Sequence, residues 1–404
     1  LRSWKVFILL SVLIATACKD SPNSLGDDFI PNLDKYTFYQ TDTASVKDST
    51  YLNESYPEAK VYTEDMIVGK WGDYQSYGFL RFPMSAPDSI INMLRAGTIN
   101  IKSTWVSMVS NYYLGESNAD YDFSVHRITS DISLNNVSSS TFPNFTYDSE
   151  DISSARTFND TLATFELSSS VIKNWILLHS SDSLSYQKNY GVILKPTAST
   201  NKVKGFLGYH TSLGNSIKIY FAFEKPGVYV DTLSAFATIN SYYATKPFPD
   251  ETDKYIYVNG TVTYKNKIHF KLPTLPTNAV MNLATLELWF DSTKSYKPSL
   301  SKTTYSELGS TVAVGYVTTP NSVTLDTASV LDLYQLSSPN RHKYKGDITK
   351  FVQKWINTGK NYGLILSLYD EEYDPSRLVF CGSNYPDVSM RPRLRITYSL
   401  RNKD

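Results

Sequence analysis

The sequence predicts an all-β protein: two tandem jelly-roll-like β-sandwiches, each with one short capping α-helix, behind an N-terminal signal segment. Three observations carry this expectation. Apolar and polar residues alternate at period two along short segments separated by turn signals, as half-buried strands require. A series of motifs recurs once, in order, in the second half of the chain. The composition, with 31 Tyr and 19 Phe against only 19% charged residues, suits pleated, half-buried surfaces. Lys plus Arg and Asp plus Glu each total 39, so the formal net charge is zero. Without a basic excess to release counterions, no nucleic-acid partner is expected.

The chain starts with an address. Arg2 and Lys5 precede an apolar run over residues 6–15 that only Ser11 interrupts. At about 1.5 Å per residue such a run falls short of a hydrocarbon core of about 30 Å, which predicts a secretory signal over residues 1–17 instead of a spanning helix. The run ends in Ala15-Thr16-Ala17-Cys18, which resembles a bacterial lipoprotein signal whose cysteine is lipidated. Residues 18–34 have the composition of a polar tether, and Lys19-Asp20 resembles the surface-export signal of Bacteroidetes-type lipoproteins. The expected location is the bacterial outer membrane, lipid-anchored through Cys18 and facing outward, with no other membrane contact.

Five collinear matches define the repeat. Asp42-Thr43-Ala44-Ser45 answers to Asp231-Thr232-Leu233-Ser234, and Leu80-Arg81-Phe82-Pro83 to Phe270-Lys271-Leu272-Pro273. Phe123-Ser124-Val125-His126-Arg127-Ile128 pairs with Leu331-Asp332-Leu333-Tyr334-Gln335-Leu336, and Val171-Ile172-Lys173-Asn174-Trp175-Ile176 with Phe351-Val352-Gln353-Lys354-Trp355-Ile356. Lys188-Asn189-Tyr190-Gly191-Val192-Ile193-Leu194 recurs as Lys360-Asn361-Tyr362-Gly363-Leu364-Ile365-Leu366. Glu224-Lys225-Pro226-Gly227 is the expected seam, giving units over residues 35–225 and 226–402.

Within each unit, Thr98-Ile99-Asn100-Ile101-Lys102, Thr285-Leu286-Glu287-Leu288-Trp289-Phe290 and Arg393-Leu394-Arg395-Ile396-Thr397-Tyr398 alternate as strands do. One helix interrupts the pattern. Ile348, Phe351, Val352, Trp355 and Ile356 share a helical face, with Asp347 as cap and Gly359 as left-handed stop. In the first copy Val171, Ile172, Trp175 and Ile176 take that face behind Ser168 or Ser169.

The second copy closes with Trp355, Asn361-Tyr362-Gly363, Phe380 and Arg391-Pro392-Arg393-Leu394-Arg395-Ile396-Thr397-Tyr398. This succession, with Val68-Gly69 and Leu80-Arg81-Phe82 in the first copy, resembles the DNRLRE-type domain. The resemblance implies β-sandwiches of secreted or surface proteins, some of whose relatives are carbohydrate-binding modules. Pro83 and Pro273 stand where that pattern has Asp, and its Thr-Trp-Asn-Asn-like segment is reduced to Thr141-Phe142-Pro143.

No catalytic constellation is legible. The chain has no Gly-x-Ser-x-Gly elbow, no His-Glu-x-x-His and no phosphate-cradling glycine loop. Cys18 and Cys381 are the two cysteines, and the five histidines are scattered, so neither a disulfide framework nor a cofactor is expected. Asp370-Glu371-Glu372 with Asp374 reads as a solvated turn, with a calcium loop as the sharper alternative. The expected function is non-catalytic binding of polysaccharide, with docking of another surface protein as the alternative and a polysaccharide-active enzyme behind both. Sugars are recognised by aromatic faces with polar neighbours. The candidate loop aromatics are Trp71, Tyr74, Tyr77, Tyr112, Tyr113, Tyr242 and Tyr243, with Tyr369 and Tyr373 beside the acidic turn. Trp71 leads because Gly72 and Asp73 beside it suggest exposure.

Overall fold

The computed structural model describes residues 38–52 in backbone course and residues 63–130, 141–180, 189–210, 214–226, 228–272, 275–276, 279–300, 311–320, 330–335, 343–369 and 371–400. The signal segment, the tether with Cys18, and Asp370 lie outside them. The architecture is all-β, with large antiparallel sheets in sandwich-like layers. Among the described residues, no helix is long and apolar enough to cross a membrane.

Two main cores form. One gathers Val68, Leu80, Phe123, Phe165, Phe206 and Phe221. The other gathers Ile268, Leu286, Tyr344, Leu366, Phe380 and Ile396. The same pairings recur around each. In one layer, strand Asn100–Leu114 lies between Lys218–Lys225 and Leu162–Leu167, as Ala279–Trp289 lies between Arg393–Leu400 and Lys343–Asp347. In the facing layer, Tyr74–Arg81, Val192–Pro196 and Phe123–Arg127 succeed one another, as do Tyr264–Phe270, Leu364–Leu368 and Thr311–Tyr316. Inward alternation fills the space between the layers, because successive side chains of a strand point to opposite faces.

The recurring Asn-Tyr-Gly has a local physical cause. Asn189 Nδ2 donates to the Phe82 carbonyl at 3.1 Å, while its Oδ1 accepts from the Gly191 N–H at 3.2 Å. Asn361 repeats this toward Phe270 at 2.8 Å and Gly363 at 3.0 Å. Gly191 and Gly363 sit at φ +96° and +94°, where a Cβ would meet the Leu80 and Ile268 carbonyl oxygens at 2.3 and 2.6 Å. Only glycine tolerates both the backbone angle and the approach.

These contacts correct two of the matches. Phe82 corresponds to Phe270, two positions away from the register read in Leu80-Arg81-Phe82-Pro83. Strand Phe123–Arg127 corresponds to Thr311–Tyr316, since Val125 pairs with Leu194 and Val314 with Leu366. His126 therefore stands opposite Gly315 in the repeat, and Tyr334 belongs to another strand.

The pairings also cross the 225/226 seam. Strands Val228–Phe236 and Ile239–Thr245, which open the second sequence unit, pair with Lys218–Lys225 and Tyr74–Arg81 of the first. Strand Phe38–Leu52, which opens the first unit, pairs through residues 38–44 with Arg393–Leu400 and through residues 45–52 with Tyr264–Phe270 of the second. An irregularity between Ser45 and Lys47 lets this single strand pass from one layer to the other.

Helices Ser169–His179 and Thr349–Thr358 close one end of each core, burying Trp175 and Trp355. Asp347 stands ahead of the second helix in an Asx turn, its Oδ1 accepting from the Thr349 N–H at 2.8 Å. Gly359 ends that helix at φ +65°. A third helix, Asp88–Arg95, is absent from the sequence reading. It buries Ile90, Ile91 and Leu94 against the first core.

Candidate functional site

The cores meet at a seam built from aromatic and polar groups. Ile67, Tyr74, Tyr112, Leu114 and Val203 form a small cluster that Trp71, Tyr242, Val262, Tyr296 and Tyr373 cover. Trp71 packs edge-on against Tyr296 with ring centroids 4.9 Å apart. The Tyr74 hydroxyl shares a 2.9 Å hydrogen bond with Thr261 Oγ1, and the Tyr112 hydroxyl donates to the Tyr373 carbonyl. Tyr242 donates to the Glu372 carbonyl. Burial pushes the Tyr74, Tyr112 and Tyr242 hydroxyls up from their ordinary pKa.

The seven aromatics expected on ligand-facing loops therefore lie elsewhere. All are on strands. Trp71 and Tyr74 flank the two-residue Gly72-Asp73 turn, and Gly72 takes φ +56°. Trp71, Tyr74, Tyr112 and Tyr242 are consumed in the seam. Tyr113 pairs with Ser299 across the same seam and carries Lys202 Nζ 5.4 Å from its ring centroid. Tyr77 and Tyr243 pack on Phe142 at 4.9 and 4.4 Å, on the outer face of the first core's layer. The signal that could have warned of this is the second half itself, which supplies Thr261, Tyr296, Glu372 and Tyr373 as partners. Of the additional candidates, Tyr373 joins the seam and Tyr369 is 61% exposed.

A cavity of about 490 Å³ opens at the edge of this seam. Asp73 lines it from the first half, Phe248, Asp250 and Glu251 from the connecting segment, and Tyr257, Lys294 and Arg377 from the second half. Phe248 is half exposed and stands edge-on to Tyr264 at 5.3 Å. The Tyr264 hydroxyl donates to the Lys246 and Pro247 carbonyls, which fixes the segment that carries Phe248. Burial pushes the Tyr264 hydroxyl up to about 12. The Arg377 guanidinium lies 5.5 Å from the Tyr257 ring centroid and 5.7 Å from that of Tyr296. Its Nε donates to Asn259 Oδ1 at 3.3 Å, and its buried Nη2 has no hydrogen-bond partner. Lys294 and Lys254 hold Glu251 below the usual carboxylate range, Lys294 at 2.9 Å. Lys246 bonds to the Tyr296 hydroxyl and lies 3.4 Å from Asp73, and burial pushes its ammonium down to about 7. The cavity thus joins a ring face to planar and charged donors and acceptors.

The remaining polar groups are structural in their contacts. His126 is satisfied on both nitrogens, by the Glu150 carbonyl at 2.9 Å and Ser124 Oγ at 2.7 Å. The His210 side chain lies outside the described residues. Asp122 and Asp151 share one cleft but are bridged by Arg156 at 2.9 and 2.7 Å. Burial raises Asp151, yet hydrogen bonds from the Val125 and Ser153 N–H groups, Ser153 Oγ and Arg156 outweigh it and hold the carboxyl below its usual range. In the acidic turn, Glu371 pairs with buried Lys265 at 3.1 Å and Asp374 accepts from the Ser376 N–H at 2.9 Å. The turn packs against Gly260, where a Cβ would meet the Asp374 carbonyl oxygen at 2.1 Å. Among the described residues, no three His, Cys, Asp or Glu side chains are placed to hold a metal ion. Cys381 is buried, and burial pushes its thiol up to about 11. No protein-family model matches the chain, and no curated protein matches it.

Proposed function

We propose that this is a non-catalytic, lipid-anchored surface protein of the bacterial outer membrane that binds polysaccharide on tandem DNRLRE-like sandwiches. The contact is the seam cavity and not the seven strand aromatics. The observation that carries this reading is Phe248, half exposed at the mouth of a cavity that also holds Arg377 with an unpartnered Nη2. An apolar ring face beside planar hydrogen-bonding groups is the chemistry that polyhydroxylated rings require. The test is binding of the folded full chain, in detergent, to a panel of immobilised polysaccharides. Saturable binding that weakens about tenfold in Phe248→Ala supports the reading. Absence of binding to every glycan sinks it, and binding unchanged in Phe248→Ala moves the site.

A second reading has its own observation. Strand Val228–Phe236 pairs only with Lys218–Lys225 among the described residues, and Val228 and Phe236 are 61% and 49% exposed. An edge of this kind accepts a strand from another protein. The polysaccharide-active enzyme stands behind both readings: Arg156 bridges Asp122 and Asp151 in one cleft, and in the seam cavity Glu251 is paired with Lys254 and Lys294 and Asp73 with Lys246.

A further inference from the structure

A polar cleft of about 440 Å³ opens at the rim of the first core, beside the hairpin of strands Ser153–Phe158 and Leu162–Leu167. Ser154 pairs with Glu166 and Thr157 with Thr164, so Ala155 and Arg156 together stand opposite one residue, Phe165. Ala155 takes φ +44° at this bulge, an angle uncommon outside glycine. A bulge of this kind re-aims a side chain. Here it accompanies Arg156 reaching Asp122, which precedes strand Phe123–Arg127 of the facing layer.

Arg156 ties the cleft together without exhausting it. Its Nη1 donates to Asp151 Oδ2 at 2.7 Å and to Ser153 Oγ at 2.9 Å, which uses both N–H groups of that nitrogen. Its Nε lies 2.9 Å from Asp122 Oδ1, which also accepts from the Phe123 N–H at 2.9 Å. One corner is left over. Arg156 Nη2 reaches Asp122 Oδ2 only at 3.4 Å, so this nitrogen keeps a spare N–H and this oxygen spare lone pairs. The corner is open to solvent, because the Arg156 and Asp122 side chains are 25% and 34% exposed.

That corner selects its ligand. Among the described residues that line the cleft, the charged ones are Asp122, Asp151 and Arg156, a net negative set. A carboxylate could accept from Nη2 but could not donate to Oδ2, and the net charge opposes it. An ammonium could donate to Oδ2 but not accept from Nη2, and it would face the guanidinium. Neutral hydroxyls both donate and accept, and two on adjacent carbons meet both atoms at once. Partly exposed Phe158 supplies an apolar side, held edge-on by Tyr121 and Phe123 with centroids 5.0 Å from each. A sugar ring, with hydroxyls on its rim and C–H groups on its face, matches both sides. The volume is that of an ordinary small-ligand site.

We infer that this cleft binds a neutral sugar unit through a vicinal diol, with Arg156 Nη2 donating to one hydroxyl and Asp122 Oδ2 accepting from its neighbour. The inference rests on the glycan reading above but not on the seam cavity. The probes are methyl α-mannopyranoside and methyl β-glucopyranoside, titrated into the full chain labelled with ¹⁵N-arginine, with their fully O-methylated derivatives as controls. The Arg156 Nε–H resonance, assigned by its loss in Arg156→Lys, shifts saturably with a free glycoside and not with the methylated ones. Asp122→Asn keeps the shape but removes the charge, and weakens binding about tenfold, the scale of one charge-assisted hydrogen bond. Ser154→Tyr, at an exposed position on the cleft wall, fills the cleft and abolishes the shift without altering the thermal melt. The assignment is overturned by a resonance that neither glycoside moves, by equal response to the methylated controls, or by undiminished binding in both variants. Because the resonance reports this cleft alone, its failure leaves the seam cavity standing, and a seam unaffected by Phe248→Ala leaves this cleft standing.

Discussion

Trp71 shows what a residue's chain neighbours conceal. Gly72 and Asp73 mark a turn, and a turn suggests solvent, but the ring's partner is Tyr296 in the other half. Trp71→Ala is therefore expected to lower stability by about 2 kcal/mol, less than a fully buried Trp truncation, as read by denaturant unfolding. Two buried charges set a pH dependence. Asp65 is fully buried with Asn111 Nδ2 3.2 and 3.4 Å from its carboxyl oxygens, and burial pushes it up to about 7. Its folded pKa exceeds the unfolded one, so its stabilising contribution is complete below about 4 and lost as pH rises through 7. Asp65→Asn should become more stable than the parent across that window, by up to about 4 kcal/mol at its upper end. Lys246 runs the other way. Its folded pKa is depressed to about 7, so its contribution is present above about 10.5 and lost as pH falls through 7. Replacing it by Met should remove this rise in stability between about pH 7 and 10.5 in an unfolding-versus-pH curve and leave the acid limb unchanged.

Elements were legible where their signals are local. The helix over residues 349–358 shows its apolar face and its Gly359 stop where expected, but the N-cap position falls to Ile348, and Asp347, expected as the cap, makes an Asx turn one residue ahead of it. Gly359 has open space around its Cβ direction, so Gly359→Ala adds backbone strain alone and should cost about 1 kcal/mol in thermal unfolding. Helix Asp88–Arg95 escaped because eight residues with adjacent Ile90 and Ile91 look equally like a short buried strand. Gly205 was silent for a different reason. It makes room for the Tyr112 ring, which its Cβ would meet at 2.3 Å, and no chain neighbour announces that ring. Gly205→Ala should therefore displace Tyr112 and loosen the seam, seen as faster hydrogen exchange along strands Lys202–Leu207 and Asn100–Leu114. The repeat was detectable at Asn-Tyr-Gly, where the geometry tolerates no substitute. It slipped at Leu80 and at Phe123, where any apolar residue serves.

At the scale of the whole molecule, each half is completed by the strand that opens the other's sequence unit. Periodicity reveals that such a strand exists but not which neighbour it joins, and so the boundary at 225/226 divides the sequence without dividing the pairings. The halves are also held by the Tyr74, Tyr112 and Tyr242 hydroxyls. Calorimetry of the intact chain should show a single cooperative transition, and removal of residues 38–52 should lower its midpoint and split it. The crossing has a consequence in time. Phe38 pairs with Ser399. A ribosome adding about 5–20 residues each second reaches that partner tens of seconds after the strand emerges. Throughout that interval residues 38–44 are an unmatched β-segment while the first core can already assemble, so a holding chaperone should matter more to the yield of this chain than to that of a protein whose opening strand pairs with its neighbour.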